Sequence, residues 1–325
     1  MSIRLAGALG ALLAAFAAGA AELPRLALEP GSLTASGLSS GGYMAVQFQL
    51  SHARIVRGVG VFAAGPWDCA RGSLTRALAE CMDRADSAPD AAALVARARA
   101  AADAGEIDPL APTRVYVFHG RRDATVAPAV TRALVEFYRA FVPAADLRYV
   151  EDVDAGHGMP TESAGGDCGA SAPPYLNACH YDGAGEMLSF LYEERGTGAS
   201  AGAGELVAFD QTPYDPSRSL AAEGFLYVPR ACGARSPCRL HVAFHGCAQG
   251  AEFVAERFVR EAGYNRWADA HRLVVLYPQA KRSALFPMNP AGCWDWWGYT
   301  DAHYATRAGI EVAAVRRMVR ALAGY

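Results

Sequence analysis

Short apolar runs alternate along the first half of the chain with longer stretches of helical spacing. The runs are rich in β-branched residues, are typical of buried parallel strands, and lie at residues 55–65, 113–120 and 147–153. The stretches of helical character lie at residues 43–51, 73–105 and 129–141. Strands that alternate with helices in this way predict an α/β fold with a mostly parallel sheet flanked by helices.

The second half of the chain repeats the pattern, without any internal sequence repeat. Three further apolar runs suit the same sheet and lie at residues 224–229, 239–246 and 272–278. The last segment, "TRAGIEVAAVRRMVRALAG", is a strongly amphipathic helix. Between the halves, "GTGASAGAGEL" (196–206) is the most linker-like stretch. We expect one catalytic domain over residues 22–325 and no separate substrate-binding domain after the helix.

The first 21 residues have the pattern of a secretory signal peptide. One basic residue, Arg4, precedes an apolar Leu/Ala/Gly stretch that ends in small residues, with cleavage expected near Ala20 or Ala21. The alternative is a membrane anchor, but the run is shorter than the roughly 20 residues that span a bilayer. No later segment is long and apolar enough to span. We therefore expect a secreted or periplasmic protein without membrane insertion.

Charge is nearly balanced. Lys and Arg number 30 against 33 Asp and Glu, which gives a formal net charge of -3, and no basic block occurs. Phosphate binding needs clustered cations, so this composition argues against a nucleic-acid partner.

Eight cysteines in an exported chain predict disulfides and no metal site, because the compartment is oxidising and no C-x-x-C with matching His spacing occurs. Spacing alone does not fix the connectivity. The simplest local pairing joins Cys69 to Cys81, Cys168 to Cys179, and Cys232 to Cys238. That pairing leaves Cys247 and Cys293.

The stretch "GLSSGGYMA" (37–45) has the form G-x-S-x-G, in which a sharp strand-to-helix turn exposes a serine hydroxyl. Ser39 occupies the central position between Gly37 and Gly41, and is the candidate nucleophile. Ser40 competes for the role. Its backbone N–H is better used to stabilise a developing oxyanion.

A serine needs a general base, and the base needs an orienting carboxylate. "HGRRDATV" places Asp123 after one predicted strand, and "DAGHGMP" places His157 after the next. The order Ser, Asp, His is that of α/β-hydrolases. Asp152 and Asp154 compete for the acid role. They lie on the same loop as His157, however, and from there a carboxylate reaches the far ring nitrogen of His157 less easily.

The second oxyanion donor normally comes from a loop that follows an earlier strand and often begins His-Gly. No such motif precedes Ser39. One stands downstream in "RLHVAFHGCAQ", where a predicted strand ends at His245-Gly246-Cys247. The alternative is a simple strand-ending turn. If the loop serves Ser39, the strand order is circularly permuted, the C-terminal helix leads in space to the nucleophile strand, and residues 196–212 bridge the former ends.

With these motifs, the chain resembles poly(3-hydroxybutyrate) depolymerases of the permuted kind over nearly all of its mature length. The carriers are "GLSSGGYMA", "HGRRDATV", "DAGHGM", "FHGCAQ" and "GCWDWWGY". The resemblance implies a circularly permuted α/β-hydrolase with Ser39, Asp123 and His157 as the triad. It also implies the N–H groups of Ser40 and Cys247 as the oxyanion hole, and a Cys247–Cys293 bridge that fixes this loop against the Trp-rich loop.

The Trp-rich segment "GCWDWWGYTDAHY" bears on the substrate. Trp294, Trp296 and Trp297 could line an acyl cleft for a methyl-bearing polyester, or pack in the core. Of the three we favour Trp297 as the substrate contact. For Trp294 we give equal weight to a place in the core and to a place in the cleft. Asp295 is expected to hydrogen-bond within its own loop.

The expected activity is hydrolysis of poly(3-hydroxybutyrate) or its oligomers by a monomer, through an acyl-enzyme and without a metal or organic cofactor. "HGCAQ", "YPQA" and "GCWDWW" are also similar to related secreted esterases, so a feruloyl or acetylxylan esterase is the alternative enzyme. A catalytically inactive binding protein is the alternative from another class, against which the complete set of Ser, Asp and His argues.

Overall fold

An eight-stranded sheet organises the part of the chain that the computed structural model describes, residues 21–82, 88–194, 204–285 and 287–324. The strands of the first half are β1 (Thr34–Leu38), β2 (Gly58–Phe62), β3 (Arg114–Phe118) and β4 (Leu147–Val150). A separate three-stranded sheet consists of β5 (Met159–Thr161), β6 (Gly166–Asp167) and β7 (Leu176–Ala178). The strands of the second half are β8 (Glu205–Asp210), β9 (Glu223–Val228), β10 (Arg239–Phe244) and β11 (Leu273–Tyr277).

The order of strands across the large sheet is β4-β3-β2-β1-β10-β11-β9-β8. All pairs from β4 to β11 are parallel, whereas β9 pairs antiparallel with both β11 and β8. The first half of the chain therefore builds one half of the sheet, and the second half builds the other. The two meet where β1 pairs with β10, with Thr34 beside His241 and Gly37 beside Phe244.

Helices cover both faces of this sheet. From the first half come α1 (Ser40–Ser51), α2 (Leu74–Ala79), α3 (Ala91–Asp103), α4 (Pro128–Arg139) and α5 (Gly183–Tyr192). From the second half come α6 (Ala251–Val254), α7 (Arg257–Glu261), α8 (Tyr264–His271) and α9 (Ile310–Ala323). None of the helices within the described ranges is long and apolar enough to cross a membrane.

Alternation along the strands explains the two-sided core. On β3, Val115 and Val117 join the cluster that contains α1, α3, α4 and α9, whereas Tyr116 and Phe118 join the cluster that contains α5, α7 and α8. Successive side chains of a strand point to opposite faces, so each central strand contributes to both clusters. This burial on both faces is why the central strands appear in the sequence as continuous apolar runs.

The structure confirms the α/β architecture and the six apolar runs as strands. Five are two or more residues shorter than expected, and β9 has the expected length but begins one residue earlier. The helical stretch predicted over 73–105 contains two helices, α2 and α3, with residues 83–87 outside the described ranges. The small sheet and the helices α5 to α8 were not predicted.

Residues 196–212 were expected to bridge the former ends of a permuted chain. Part of this segment is strand β8, which forms the edge of the sheet. Its alternating sequence, ELVAFD, pairs along its whole length with β9, and this pairing outweighs the Gly/Ala-rich composition before it. Residues 195–203 lie outside the described part of the chain.

The two ends of the described chain lie together. The Leu26 N–H donates to the carbonyl oxygen of Leu322 at 2.9 Å, so the end of α9 contacts the segment that leads into β1. Residues 1–20 of the predicted signal peptide lie outside the described ranges. Its last residue, Ala21, is bridged to Phe209 of β8.

Candidate active site

Ser39 occupies a sharp turn between β1 and α1. Its backbone has φ 56° and ψ -122°, a conformation that costs a non-glycine residue on the order of 1–3 kcal/mol. The surroundings hold the turn, because the Ser39 N–H donates to the Phe62 carbonyl at 2.9 Å and the Ser39 carbonyl accepts from Tyr43 N–H at 3.0 Å. Strain maintained in this way is a feature of functional sites and of the serine turn that G-x-S-x-G predicts.

The two glycines of the motif are required by close backbone approach. A Cβ at Gly37 would lie 2.2 Å from the carbonyl oxygen of Gly41, and a Cβ at Gly41 would lie 2.4 Å from the carbonyl oxygen of His245. No side chain fits at these distances. The turn therefore packs against itself and against the loop that follows β10.

Ser40 differs from Ser39 in its environment. Its side chain is buried, and its hydroxyl oxygen accepts a hydrogen bond from Trp294 N–H at 3.3 Å. As the first residue of α1, Ser40 has a backbone N–H without an intrahelical acceptor. This supports the sequence interpretation in which Ser39 offers its hydroxyl and Ser40 its N–H.

Asp123 and His157 are joined by a hydrogen bond of 2.8 Å between Oδ2 and Nδ1. Asp123 follows β3 and His157 follows β4, so both lie beyond the carboxyl ends of neighbouring parallel strands, where such sheets place functional loops. The other carboxylate oxygen of Asp123 accepts from the N–H groups of Thr125 and Val126 at 2.8 and 3.0 Å. The carboxylate is thus fixed with one oxygen towards the imidazole.

The electrostatics of Asp123 favour its charged form. Burial acts to raise the pKa of Asp123, but the hydrogen bond and charge of His157, together with the Val126 N–H, outweigh burial and hold the pKa below its usual value. The competing Asp154 is exposed and pairs with Arg121 at 3.2 Å. Asp123 is therefore the carboxylate that orients His157.

The backbone of His157 is held by a loop that sequence reasoning missed. The His157 N–H donates to the Ser171 hydroxyl oxygen at 2.8 Å, and the edge of Tyr175 packs against the imidazole with ring centroids 6.4 Å apart. The side chain of Asn177 donates to the carbonyls of Cys168 and Ala170, both at 2.8 Å, and so braces the loop. The only hint of this loop in the sequence was the predicted pair Cys168–Cys179, which encloses these residues.

His245 is a structural residue of the loop after β10. Its Nδ1 donates to the Gly246 carbonyl at 2.8 Å and its Nε2 accepts from Ala280 N–H at 3.1 Å, which fixes one tautomer. Burial lowers the pKa of His245 to about 4, so the ring is neutral at neutral pH. The side chain of His245 thus fixes the end of β10 through two hydrogen bonds, which a simple strand-ending turn would not have.

Gln249 connects this loop to the loop of Tyr175. Its Oε1 accepts from Gly246 N–H at 2.7 Å, and its Nε2 donates to the Tyr175 carbonyl at 2.8 Å. The Ala248 N–H donates to the Ala291 carbonyl at 2.6 Å. Cys247 lies between these two engaged N–H groups. Among the described residues its own N–H has no backbone acceptor, so it is available to a ligand.

A cavity of about 180 Å³ brings the predicted residues together. Ser39 and His157 line it without a hydrogen bond between them in the described structure. Such contacts commonly tighten only when substrate binds. The other lining residues are Leu38, Ser40, Tyr43, Met82, Thr125, Val126, Ser171, Tyr175, Gly246, Cys247 and Trp296. The wall is thus mainly apolar, with the nucleophile, the base and the two candidate N–H donors at its surface.

The three tryptophans occupy different positions. Trp296 lines the cavity and stacks on Tyr43, with centroids 4.7 Å apart and planes at 15°. Trp297 is half-buried, packs edge-on against Trp296 at 5.6 Å, and is not among the lining residues. Trp294 is fully buried against Phe244, so it is a core residue in place of a substrate contact. The candidate substrate contact is therefore Trp296 instead of Trp297, because the side chains of these adjacent residues lie in different surroundings.

Four disulfides link the eight cysteines in the expected pairs, and two bear on the cavity. The bridge between Cys247 and Cys293 ties the oxyanion loop to the Trp-rich loop, and the bridge between Cys168 and Cys179 closes the loop of Ser171. The others are Cys69–Cys81 and Cys232–Cys238. Within the described ranges, no group of three His, Cys, Asp or Glu residues is arranged to hold a metal ion.

Comparison with known proteins gives close relatives. No protein-family model matches the chain. It is 40% identical over 308 residues to a poly(3-hydroxybutyrate) depolymerase of Delftia acidovorans, covering 92% of this chain and 61% of that protein. It is 34% identical over 317 residues to a polyhydroxybutyrate depolymerase of Talaromyces funiculosus, covering 93% and 92% respectively. The chain thus spans less than two thirds of the first relative and nearly all of the second.

Two solved structures share the fold at 31% sequence identity. The PHB depolymerase of Penicillium funiculosum superposes with a TM-score of 0.85, covering 93% of this chain and 99% of that one. A serine-to-alanine variant of a PHB depolymerase in complex with an R3HB trimer superposes with a TM-score of 0.86 and the same coverage.

Proposed function

The chain belongs to the polyhydroxybutyrate depolymerase family, and from that membership we propose that it is a serine esterase that hydrolyses the ester bonds of poly(3-hydroxybutyrate) or its oligomers. The observation that carries the proposal is the 2.8 Å hydrogen bond between Asp123 and His157, beside a cavity that Ser39 also lines. A binding protein would have no need for this arrangement.

In the proposed mechanism, Ser39 attacks the ester carbonyl while His157 accepts the hydroxyl proton through Nε2. Asp123 holds Nδ1 and stabilises the imidazolium as it forms. His157 then donates its proton to the departing alcohol. Water attacks the resulting acyl-enzyme with His157 again as base, releasing the acid product and restoring Ser39.

The tetrahedral intermediate carries negative charge on the former carbonyl oxygen. We assign its stabilisation to the N–H groups of Ser40 and Cys247, which belong to residues on the wall of the same cavity. Donors of this kind are typically worth about a hundredfold to a thousandfold in kcat each. No step of this mechanism calls for a metal or an organic cofactor.

The substrate class rests on the character of the cavity and on the relatives. Leu38, Met82, Val126 and Trp296 present apolar surface to it, which suits the methyl-bearing backbone of a polyester. The complex of a related depolymerase with an R3HB trimer supports the same class of substrate for this chain. We assign the Trp296 face to the acyl or alcohol portion of that chain.

The sheet order supports a circularly permuted α/β-hydrolase. Strands β8 to β11, from the second half of the chain, form one half of the sheet. The end of α9 contacts the segment before β1 through Leu26 and Leu322. In this interpretation α9 once continued into β1, and the former termini lay between α5 and β8. The downstream loop of Cys247 thereby serves an upstream serine.

We further propose that residues 1–21 are removed during export, and that the mature protein is a secreted or periplasmic monomer. The four disulfides support an oxidising compartment. N-terminal sequencing of the exported protein and its sedimentation mass test the two statements.

The test of function is clearing of an amorphous poly(3-hydroxybutyrate) suspension by the wild type and by Ser39→Ala. Ser163→Ala, which alters an exposed serine, is the matched control. Clearing by the wild type and the control, but not by Ser39→Ala, is the expected result. Wild-type hydrolysis of feruloyl or acetyl esters without clearing would keep the nucleophile and transfer the enzyme to the related carbohydrate esterases.

A further inference from the structure

The loop of residues 293–300, hereafter the Trp loop, contains one buried carboxylate and packs against a second. Asp295 is 1% exposed and Glu311, in the first turn of α9, is 2% exposed. Buried acids are costly unless they are paired or fully hydrogen-bonded, so two of them side by side call for an explanation. Neither lines the cavity of Ser39.

Asp295 fixes the shape of the Trp loop. Its Oδ1 accepts from the N–H groups of Trp297, Gly298 and Tyr299 at 3.2, 2.7 and 3.0 Å. Its Oδ2 accepts from the N–H and the hydroxyl of Thr300 at 2.8 and 2.6 Å. Burial raises the pKa of Asp295, and these donors oppose that rise because hydrogen bonds to a carboxylate favour its charged form.

Glu311 forms hydrogen bonds with both Asp295 and Tyr299. Its Oε2 accepts from Asp295 N–H at 2.7 Å, and the Tyr299 hydroxyl lies 2.6 Å from its Oε1. Burial first, and then the neighbouring Asp295 charge, raise the pKa of Glu311 to about 8, with Asp215 adding to the rise. Glu311 therefore keeps its proton at neutral pH.

Both protonation states of Glu311 satisfy the surrounding groups. When Glu311 is ionised, Tyr299 donates to it. When Glu311 is protonated, its Oε1–H donates to the Tyr299 oxygen, and Tyr299 can donate instead to the Cys293 carbonyl, 3.2 Å away. The Asn289 amide donates to the Tyr299 oxygen at 3.0 Å and can do so in either state. What changes is the charge under the loop.

The Trp loop touches both residues that we assign to the oxyanion hole. Cys293 is disulfide-bonded to Cys247, and Trp294 N–H donates to the hydroxyl oxygen of Ser40. Gln47 of α1 donates to the Asp295 carbonyl at 2.8 Å, which fixes the loop to the helix behind the nucleophile. A displacement of the loop would therefore move the two N–H donors relative to each other.

We infer that Glu311, acting through Asp295 and the Trp loop, is a positioning residue that sets the separation of the Ser40 and Cys247 N–H groups. Glu311 does not touch the substrate. The inference rests on the proposed esterase function. Its consequence is that kcat, more than KM, responds to Glu311, because the oxyanion forms only during the chemical step.

Glu311→Gln tests the inference. The amide keeps an oxygen for Asp295 N–H and its N–H₂ group donates to the Tyr299 oxygen, as the protonated acid does, but it cannot ionise. With p-nitrophenyl butyrate at pH 7 we therefore expect kcat of Glu311→Gln to stay within about twofold of the wild type. Glu311→Leu removes both contacts and should lower kcat roughly tenfold to a hundredfold, the cost of misplacement on the scale of 1 Å, with KM within about twofold. Wild-type kcat should decline above pH 8 as Glu311 ionises, and this alkaline decline should be absent from Glu311→Gln.

Glu136→Gln, which replaces an exposed glutamate on α4, is the control and should match the wild type. Tyr299→Phe keeps the ring and removes the hydroxyl, and decides the matter if Glu311→Leu does not fold. A lower kcat in Glu311→Leu, together with the loss of the alkaline decline in Glu311→Gln, supports the inference. Wild-type kcat and pH profile in the folded variants overturn it. If the wild type itself hydrolyses no ester, the proposed function fails first, which separates the two failures.

Discussion

Gly41 and His245 meet at backbone contact, since a Cβ on Gly41 would stand 2.4 Å from the His245 carbonyl oxygen. Gly41 belongs to the nucleophile turn and His245 to the loop that offers Cys247. The glycine therefore sets the distance between a segment of the first half of the chain and a segment of the second half.

Gly41→Ala should therefore separate the turn from the loop. The neighbouring atoms are main-chain atoms of Phe244 and His245, which cannot rotate away, so we expect a loss of about 1–3 kcal/mol in unfolding free energy or more. We also expect kcat to fall at least about tenfold, because the two N–H donors move apart. Urea unfolding and ester hydrolysis measure both quantities.

Gly166→Ala is the matched control, because a Cβ there meets no atom within 4 Å. It should change neither quantity. Wild-type kcat in Gly41→Ala would mean that the distance between turn and loop does not govern catalysis.

The sequence predicted which residues lie together better than it predicted their surroundings. Ser39, Asp123 and His157 follow predicted strands, and parallel strands bring their carboxyl ends to one edge, so their proximity required no knowledge of helix packing. Ser171 and Gln249 were missed because their roles depend on hydrogen bonds between distant loops, which leave no periodic signal. Trp294 and Trp296 differ in role because of tertiary packing on Phe244 and Tyr43, which sequence spacing does not encode.

Gln249 is expected to matter for both stability and catalysis. In Gln249→Leu the Gly246 N–H loses its acceptor, whereas the Tyr175 carbonyl keeps the N–H of Met159, and an unsatisfied buried polar group costs about 1–3 kcal/mol. The variant should also lose kcat, since Gly246 precedes Cys247 and Tyr175 packs on His157.

Gln249→Glu separates the two contacts. The carboxylate keeps an acceptor for Gly246 N–H, while its other oxygen faces the Tyr175 carbonyl. We expect this variant to retain more activity than Gln249→Leu if the oxyanion loop is the dominant contact, and less if the Tyr175 side is. Equal kcat in both variants and the wild type would exclude a positioning role for the residue.

Trp296 and Trp297 provide a matched pair for substrate contact. Trp296→Ala removes cavity wall and should raise KM for a soluble 3-hydroxybutyrate oligomer about tenfold or more, the scale of a buried aromatic contact. Trp297→Ala should change KM less, because that side chain packs on Trp296 and Tyr299 and does not line the cavity. A larger KM effect at Trp297 would place the polymer path outside this cavity.

Three buried histidines predict how stability depends on pH. Burial lowers the pKa of His241 to about 3, of His245 to about 4 and of His52 to about 4, whereas the unfolded chain titrates near 6.5. Within the sheet, His241 bonds the hydroxyls of Thr34 and Ser36 at 2.7 and 2.8 Å, and burial is the cause of its lowered pKa.

Because the folded values are depressed, the stabilisation is complete above pH 6.5 and is lost as the pH falls from there towards 4. Each histidine should contribute a slope of up to about 1.4 kcal/mol per pH unit in that window, since unfolding then takes up a proton. Urea unfolding at about pH 7.5, 6.5, 5.5 and 4.5 measures the slope across this window. His241→Gln cannot take up the proton, so its slope should be smaller by the contribution of one histidine. The control His303→Gln, at an exposed position, should leave the slope unchanged. An identical slope in His241→Gln would mean that His241 is protonated in the folded protein, and that its hydrogen bonds to Thr34 and Ser36 both run from the ring to the hydroxyls.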